Sequence, residues 1–361
     1  MNKGSLSVTG KPTSQYRTGD MIVLSPSISP GAGWVQSDTL TSVKWQTALG
    51  RKINTAPNAV SWVTQNPNFG TSIIYSVAYG NGIFAIVGGT TGTAGVIRTS
   101  TDAVTWATQT SNFGTFVTTS VAYGNGIFAA VGASGAIRTS TDGVTWATQT
   151  SNTANSLQSI AYGNNIFVTG GVGGTIRTST DGVTWATQTS QFGGSAINAV
   201  AYGNGLWVAG GAGGTLRTST DAVTWVTQTS NFGTTTINGI AYGNGIWVVV
   251  GTGGTLRTSS DSGVTWVTQT PNFGTSTIST AAYANGLWLI GGTGGALRSS
   301  SDAVTWATQP STFGSAQIVG LNYLNNIWIA VGSAGTLRSG IADSVGVYTT
   351  PITNYTSWIK L

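Results

Sequence analysis

The sequence predicts an all-β fold: a seven-bladed β-propeller of four-stranded blades closed by an N-terminal strand, with a small β-rich base from the two termini. Three observations predict it. First, Trp recurs at Trp62, Trp106, Trp146, Trp185, Trp225, Trp266 and Trp306, in steps of 44, 40, 39, 40, 41 and 40 residues. Arg recurs with it at Arg98, Arg138, Arg177, Arg217, Arg257, Arg298 and Arg338, and Tyr at Tyr79, Tyr123, Tyr162, Tyr202, Tyr242, Tyr283 and Tyr323. Second, each copy of about 40 residues holds four strand signals and no helical period, which is the length and content of a propeller blade. Third, the copies are out of phase with the chain. The first opens on a fourth-strand motif (NAVSWVTQ, Asn58–Gln65), and the last stops after a third-strand motif (GTLRSG, Gly335–Gly340).

One copy reads VTWVTQTSNFGTTTINGIAYGNGIWVVVGTGGTLRTSSD. INGIAY is the first strand. The Asn-Gly of YGNG makes a tight hairpin to the second, IWVVVG. A Gly-rich turn leads to TLRTS, the third, and the VTW-led segment is the fourth. Thr, Val, Ile and aromatics fill the strands, while Gly, Asn, Ser and Asp fill the gaps. A helical solenoid does not fit these residues, and β-helix coils are shorter. The phase predicts that the last blade borrows residues 58–65, which closes the ring and covers edges that an open sheet would expose.

Composition excludes many functions. Of 361 residues only 6% are charged; Cys and His are absent, and the nine acidic residues are all Asp. No disulfide, thiolate nucleophile, Cys/His zinc site or Ser-His-Asp triad can be built. A glycosidase carboxylate pair would have to be two Asp. The opening MNKGSLSVTG has no apolar signal-peptide core, and no apolar run reaches a membrane span, so neither signal-directed export nor membrane insertion is expected. The net charge of +5 sits mostly in residues 1–57. It forms no basic stripe interleaved with aromatics, so no nucleic-acid partner is expected. A solvated surface is the preferred account of that region, and docking on an acidic protein surface is the alternative.

The turn before each Trp from Trp106 to Trp306 reads STDAVTW, STDGVTW or a close variant, and Ser259–Trp266 reads SSDSGVTW. This resembles the Asp-box (BNR-like) repeats of sialidases, related bacterial propellers and the photosystem II assembly factor, over residues 58–340. The resemblance implies a propeller, with the boxes on its outer rim. An Asp in such a turn accepts local backbone N–H bonds, and the Trp supplies an apolar plate. Asp102, Asp142, Asp181, Asp221, Asp261 and Asp302, with Trp106, Trp146, Trp185, Trp225, Trp266 and Trp306, are therefore read as structural; calcium or ligand binding is the alternative. Each Arg, which except for Arg338 lies four residues before an Asp, is expected to make a local ion pair or a carbonyl contact. The sialidase Tyr/Glu pair has no counterpart without Glu.

Two further aromatic series recur. Phe84, Phe128, Phe167, Trp207, Trp247, Trp288 and Trp328 fall in an apolar strand, where packing between blades is preferred over a ring of sugar platforms. Phe69, Phe113, Phe192, Phe232, Phe273 and Phe313 fall in NFG-type loops, and SNTANSL breaks the series in the third copy. Expected to be partly exposed, these six are the candidate ligand contacts, with wedging between blades as the competing use. No unique acid, base or nucleophile stands out against the repeats, so no catalytic residue, metal or cofactor is expected.

The ends do not repeat. GDMIVLSPSISPGAGWVQSD (Gly19–Asp38) and VYTTPITNYTSWIKL (Val347–Leu361) resemble the opening and closing segments of the phage tail-collar family, through Pro30, Gly33 and Trp34 and through Trp358, Ile359 and Lys360. The resemblance implies a propeller inserted in a collar module. Residues 1–57 and 341–361 would be anchoring segments that pack together and attach to other virion proteins, with a homotrimer as one form. The expected function is a non-enzymatic bacteriophage virion protein, a tail fibre or tail-tip adhesin on the particle surface, presenting residues 58–340 to a host glycan or protein. Alternatives are a head fibre or capsid decoration protein, a polysaccharide-acting enzyme using Asp20 or Asp38 with Asp343, and a cellular assembly factor.

Overall fold

A computed structural model describes residues 60–90 and 95–342, together with the backbone of residues 21–24, 34–36 and 356–360. The chain divides into two compact units, Met1–Thr55 with Val345–Leu361, and Ala56–Ser344. The larger is the predicted seven-bladed propeller, each blade a four-stranded antiparallel sheet. The fourth blade is typical, with strands Ile197–Gly203, Leu206–Gly211, Leu216–Ser219 and Val226–Gln228 in spatial order. Its first hairpin turns on Asn204 (φ 49°) and Gly205 (φ 78°), two successive positive values that an Asn-Gly pair accommodates. A three-residue 3-10 turn, Ala212–Gly214, joins the second and third strands.

Two features differ from expectation. In six blades the fourth strand is only three residues long, as in Val226–Gln228, and the preceding Val-Thr-Trp lies in the loop. The reason is local: the N–H groups of Val223 and Thr224 are taken by the Asp221 carboxylate and cannot join a ladder. The first strand carries a bulge, since its register on the second strand shifts between Ile197 and Ala199. The same shift occurs in all seven blades.

Closure follows the predicted phase. Val60–Gln65 pairs with Leu337–Ala342 from Val60↔Ala342 to Gln65↔Leu337, completing the seventh blade. The core lies between blades. At the last seam, Leu289 and Leu297 of the sixth blade meet Phe313, Ile318 and Trp328 of the seventh, joined by Val60. The second-strand aromatics, from Phe84 to Trp328, are almost wholly buried in such seams. They are packing residues, and a ring of exposed sugar platforms is not formed.

In the smaller unit, Thr356–Lys360 lies between Met21–Leu24 and Trp34–Gln36, antiparallel to both. Trp34 pairs with Lys360 and Met21 with Ile359. The two ends of the chain thus form one sheet. Asp20, Asp38 and Asp343 lie outside the described residues. Among the described residues no helix is long and apolar enough to cross a membrane.

Candidate binding site

The Asp loops are self-contained. In the third blade, Asp181 Oδ1 accepts the N–H of Val183 (2.8 Å) and Thr184 (2.7 Å) and the Ser179 hydroxyl (2.9 Å). Ser179 Oγ also accepts the Gly182 N–H, and Trp185 Nε1 donates to Gly182 O. The backbone N–H groups of Thr184 and Val183 hold the Asp181 carboxyl down at about 2. Asp102, Asp142, Asp221 and Asp302 repeat the pattern. Asp261, in the longer loop, accepts both the N–H and the hydroxyl of Thr265. Each carboxylate is satisfied by its own loop, and the Trp that follows is buried. Among the described residues no group of three or more acidic side chains could hold a metal.

The repeated Arg makes carbonyl contacts. Arg217 donates from Nε (3.1 Å) and Nη2 (2.8 Å) to Gln191 O, and from Nη1 to Leu216 O. Its guanidinium stacks 5.0 Å over the Phe192 ring. This corrects the expectation for the loop aromatics. Phe69, Phe113, Phe192, Phe232, Phe273 and Phe313 are all buried, none more than 6% exposed. Positive φ on both sides, at Asn112 (55°) and Gly114 (58°), turns Phe113 inward. The Asn112 side chain fixes the loop on Trp146 O, and Arg138 covers the outer ring face at 4.9 Å. These rings are packed between blades and are not the partly exposed groups expected. Thr153 replaces Phe in the third blade, where Arg177 still holds the carbonyls of Ser151 and Asn152.

The varied surface lies elsewhere. In an antiparallel four-stranded blade, the first hairpin and the Asp loop share one end. The 3-10 turn and the loop to the next blade share the other. Gly143 in an Asp loop sits against Ile83 in a first hairpin, as this requires. The first strands of all seven blades surround a central cavity of about 600 Å³. It is lined at the bulge end, opposite the Asp loops, by residues such as Tyr75, Ser76, Gln158, Asn198, Asn238 and Gln317. Among the described residues no charged side chain lines it.

The bulge residue lies four positions before the repeated Tyr in every blade. Around the ring it is Tyr75, Thr119, Gln158, Asn198, Asn238, Ser279 and Val319. The repeat that keeps Tyr, Arg and Trp at fixed places changes chemistry here at almost every step. A bulge re-aims a side chain out of the ladder, which suits such a position to contact something other than its own sheet. Sequence reasoning missed these residues. Aligning the seven copies on their Tyr would have exposed the position as the variable one.

Neighbouring walls are tied across the seams. Asn198 Nδ2 donates to Ile237 O and Asn238 Nδ2 to Ile278 O, both 3.1 Å. Gln317 Nε2 donates to Ser279 Oγ (2.7 Å). The hydroxyls of Ser76, Ser120, Ser159 and Thr280 accept the N–H of Val121, Ile160, Val200 and Leu321 in the following blade. At the other three seams the corresponding residues are Ala199, Gly239 and Gly320, which have no hydroxyl to offer Ile240, Ala281 and Val77. At the bulge positions the cavity therefore has carboxamides on one side, Gln158, Asn198 and Asn238, and Tyr75 and Val319 on the other, where Gln317 and Asn322 add two further amides.

No family model and no curated protein sequence matches the chain. Solved propellers resemble it in fold. YCF48 bound to D1 peptide shares 15% identity at a TM-score of 0.63, over 81% of this chain and 97% of that one. A catalytically inactive virginiamycin B lyase from Staphylococcus aureus with quinupristin shares 12% at 0.69, over 78% and 99%. The WD40 propeller domain of Doa1 shares 13% at 0.64, over 80% and 98%. At these identities the likeness is one of fold.

Proposed function

We propose that the chain is a non-enzymatic binding protein of a bacteriophage virion, a tail fibre or tail-tip adhesin whose propeller engages a glycan or protein on the host surface. The observation that carries this is the pairing of the two ends. The segments that resemble the tail-collar family, around Trp34 and Trp358, belong to one antiparallel sheet, Gln36 opposite Trp358. A ring inserted between paired ends is suited to presentation on a larger particle. The Asp-box resemblance of the repeats adds a rigid scaffold to that reading. The cavity lining supports binding without turnover, since its described residues offer amides, hydroxyls and apolar groups and no carboxylate, Lys or Arg. YCF48, a propeller of the same fold, is bound to a peptide, which favours keeping a protein partner beside a glycan.

Antibody labelling of intact particles in the electron microscope tests the proposal, together with adhesion of the purified chain to host cells. Label at the tail with saturable adhesion is the expected result. A chain absent from particles overturns the virion reading. Label on the head without adhesion replaces it with a head fibre or decoration protein.

A further inference from the structure

We infer that the bulge-lined mouth of the central cavity binds a neutral saccharide, seated with one face on Tyr75 and its hydroxyls on the carboxamide arc of Asn198 and Asn238. This deepens the adhesin reading, on which the source of the saccharide rests. Four features of the cavity carry the inference.

The first is electrical. None of the described lining side chains is charged. An anionic sugar, a phosphate or a cation would lose hydration with no counter-charge to meet it. A ligand for this cavity is polar and uncharged.

The second is the donor and acceptor pattern. A carboxamide both donates and accepts, as a sugar hydroxyl does. The seam bonds from Nδ2 to Ile237 O and Ile278 O fix Asn198 and Asn238 in place and leave each Oδ1 to accept from a hydroxyl. At these same seams the preceding blade supplies Ala199 and Gly239, so the N–H of Ile240 and Ala281 lacks the hydroxyl acceptor found in other blades. Those N–H groups provide donors to match. The position is closely packed: a Cβ on Gly239 would lie 3.0 Å from Val250 Cγ2 and 3.1 Å from Ser279 O.

The third is the opposite wall. Tyr75 is the sole aromatic among the lining residues and adjoins Val319 of the seventh blade. A pyranose ring has a polar edge and a C–H face, and an aromatic plate set against an amide arc matches both. Burial raises the Tyr75 phenol above its usual value, so it stays neutral.

The fourth is size and asymmetry. About 600 Å³ lies in the range of small-ligand sites. A ring of identical blades would offer seven equal sites, whereas the bulge position makes one oriented site.

The test uses the full chain on an array of neutral, sialylated and uronate-bearing oligosaccharides, followed by calorimetric titration with the best neutral binder. Tyr75→Ala is expected to weaken binding about tenfold or more, and Tyr75→Phe to stay close to wild type. Asn238→Ala is expected to weaken it about three- to tenfold, and it keeps the test valid should Tyr75→Ala not fold. Binding of anionic glycans alone, no glycan binding, or full affinity in folded Tyr75→Ala and Asn238→Ala each overturns the inference. Host-cell adhesion measured on the same variants separates the two proposals. Adhesion unaffected by Tyr75→Ala sinks this site and leaves the adhesin; neutral-glycan binding by a chain absent from particles does the reverse.

Discussion

The ring of Tyr202 lies across Gly163 of the preceding blade, so close that a Cβ on Gly163 would stand 2.2 Å from Tyr202 Cδ1. Gly163 has no positive φ, so contact rather than backbone conformation demands glycine there. Tyr123 covers Gly80, Tyr162 covers Gly124, Tyr242 covers Gly203 and Tyr283 covers Gly243 in the same way. At the next seam the residue is Ala284, and Tyr323 stands 5.3 Å from Trp328, against 4.5 to 4.9 Å for the corresponding ring pairs. One methyl is accommodated by moving the tyrosine.

Gly163→Ala is therefore expected to destabilise the propeller by about 1–3 kcal/mol, the usual cost of overpacking. Ala284→Gly, at a seam already adapted, is expected to shift stability by only about 0.5–1 kcal/mol. Equilibrium denaturation of both variants checks this. Equal effects would mean that the Tyr–Gly contact does not set the blade spacing.

Stability is expected to be flat from about pH 8 to pH 5 and to fall steeply below pH 4. The carboxyls of Asp102, Asp142, Asp181 and Asp221 are held at about 2 by backbone N–H bonds first, and that of Asp261 at about 2 by the Thr265 side chain first. A folded value below the unfolded one gives stability that is fully present above the unfolded value, near 4. It is lost as pH falls through the folded value. No His titrates in the neutral range. Thermal melts across this range test the window, and a loss beginning above pH 5 would point to other groups.

The indole N–H groups divide into two kinds. Trp225 Nε1 donates to Ala222 O at 3.2 Å, whereas the buried Nε1 of Trp207, Trp288 and Trp328 has no partner. Phe84, Phe128 and Phe167 occupy the same place in other blades. Trp207→Phe removes an orphan donor, worth about 1–3 kcal/mol, while shrinking the core by a comparable amount. A net change within about 1 kcal/mol is expected. Trp225→Phe loses a made bond as well as volume and is expected to cost about 2–4 kcal/mol. Urea midpoints for the two variants decide it; the opposite order would show that packing alone governs these positions.

The ring was legible because a repeat of 40 residues with strand chemistry has few solutions, and because its phase leaves Val60–Gln65 without a partner until the chain returns. The Asp loops were legible too, since a carboxylate two and three residues ahead of free N–H groups makes a local turn. Phe113 was misjudged because its NFG setting looks like a solvent-facing tip. Only the distant Arg138, 25 residues on, shows that the ring is covered. The bulge at Asn198 was invisible for a different reason. Period-2 alternation counts residues, not hydrogen bonds, and an extra residue in one strand leaves no mark until its partner strand is known.

Closure of the ring gives the last prediction, and it separates two residues of one strand. Val60 is 5% exposed and belongs to the core cluster around Trp328, whereas Val63, three residues on, is 59% exposed. Both pair with the strand Leu337–Ala342, Val60 opposite Ala342 and Val63 opposite Ser339. Val60→Asp would place an unpaired carboxylate in the seam that joins the two ends of the repeat array, and the strand would lose its place before the carboxylate lost its water. Blade seven would then be left with three strands and an open edge. A loss of about 3 kcal/mol or more is expected, with concentration-dependent association through that edge, while Val63→Asp stays within about 0.5 kcal/mol of wild type. Light scattering and denaturation of the pair measure both effects. A Val60→Asp protein that remains monomeric and as stable as Val63→Asp would show that the ring holds without this strand.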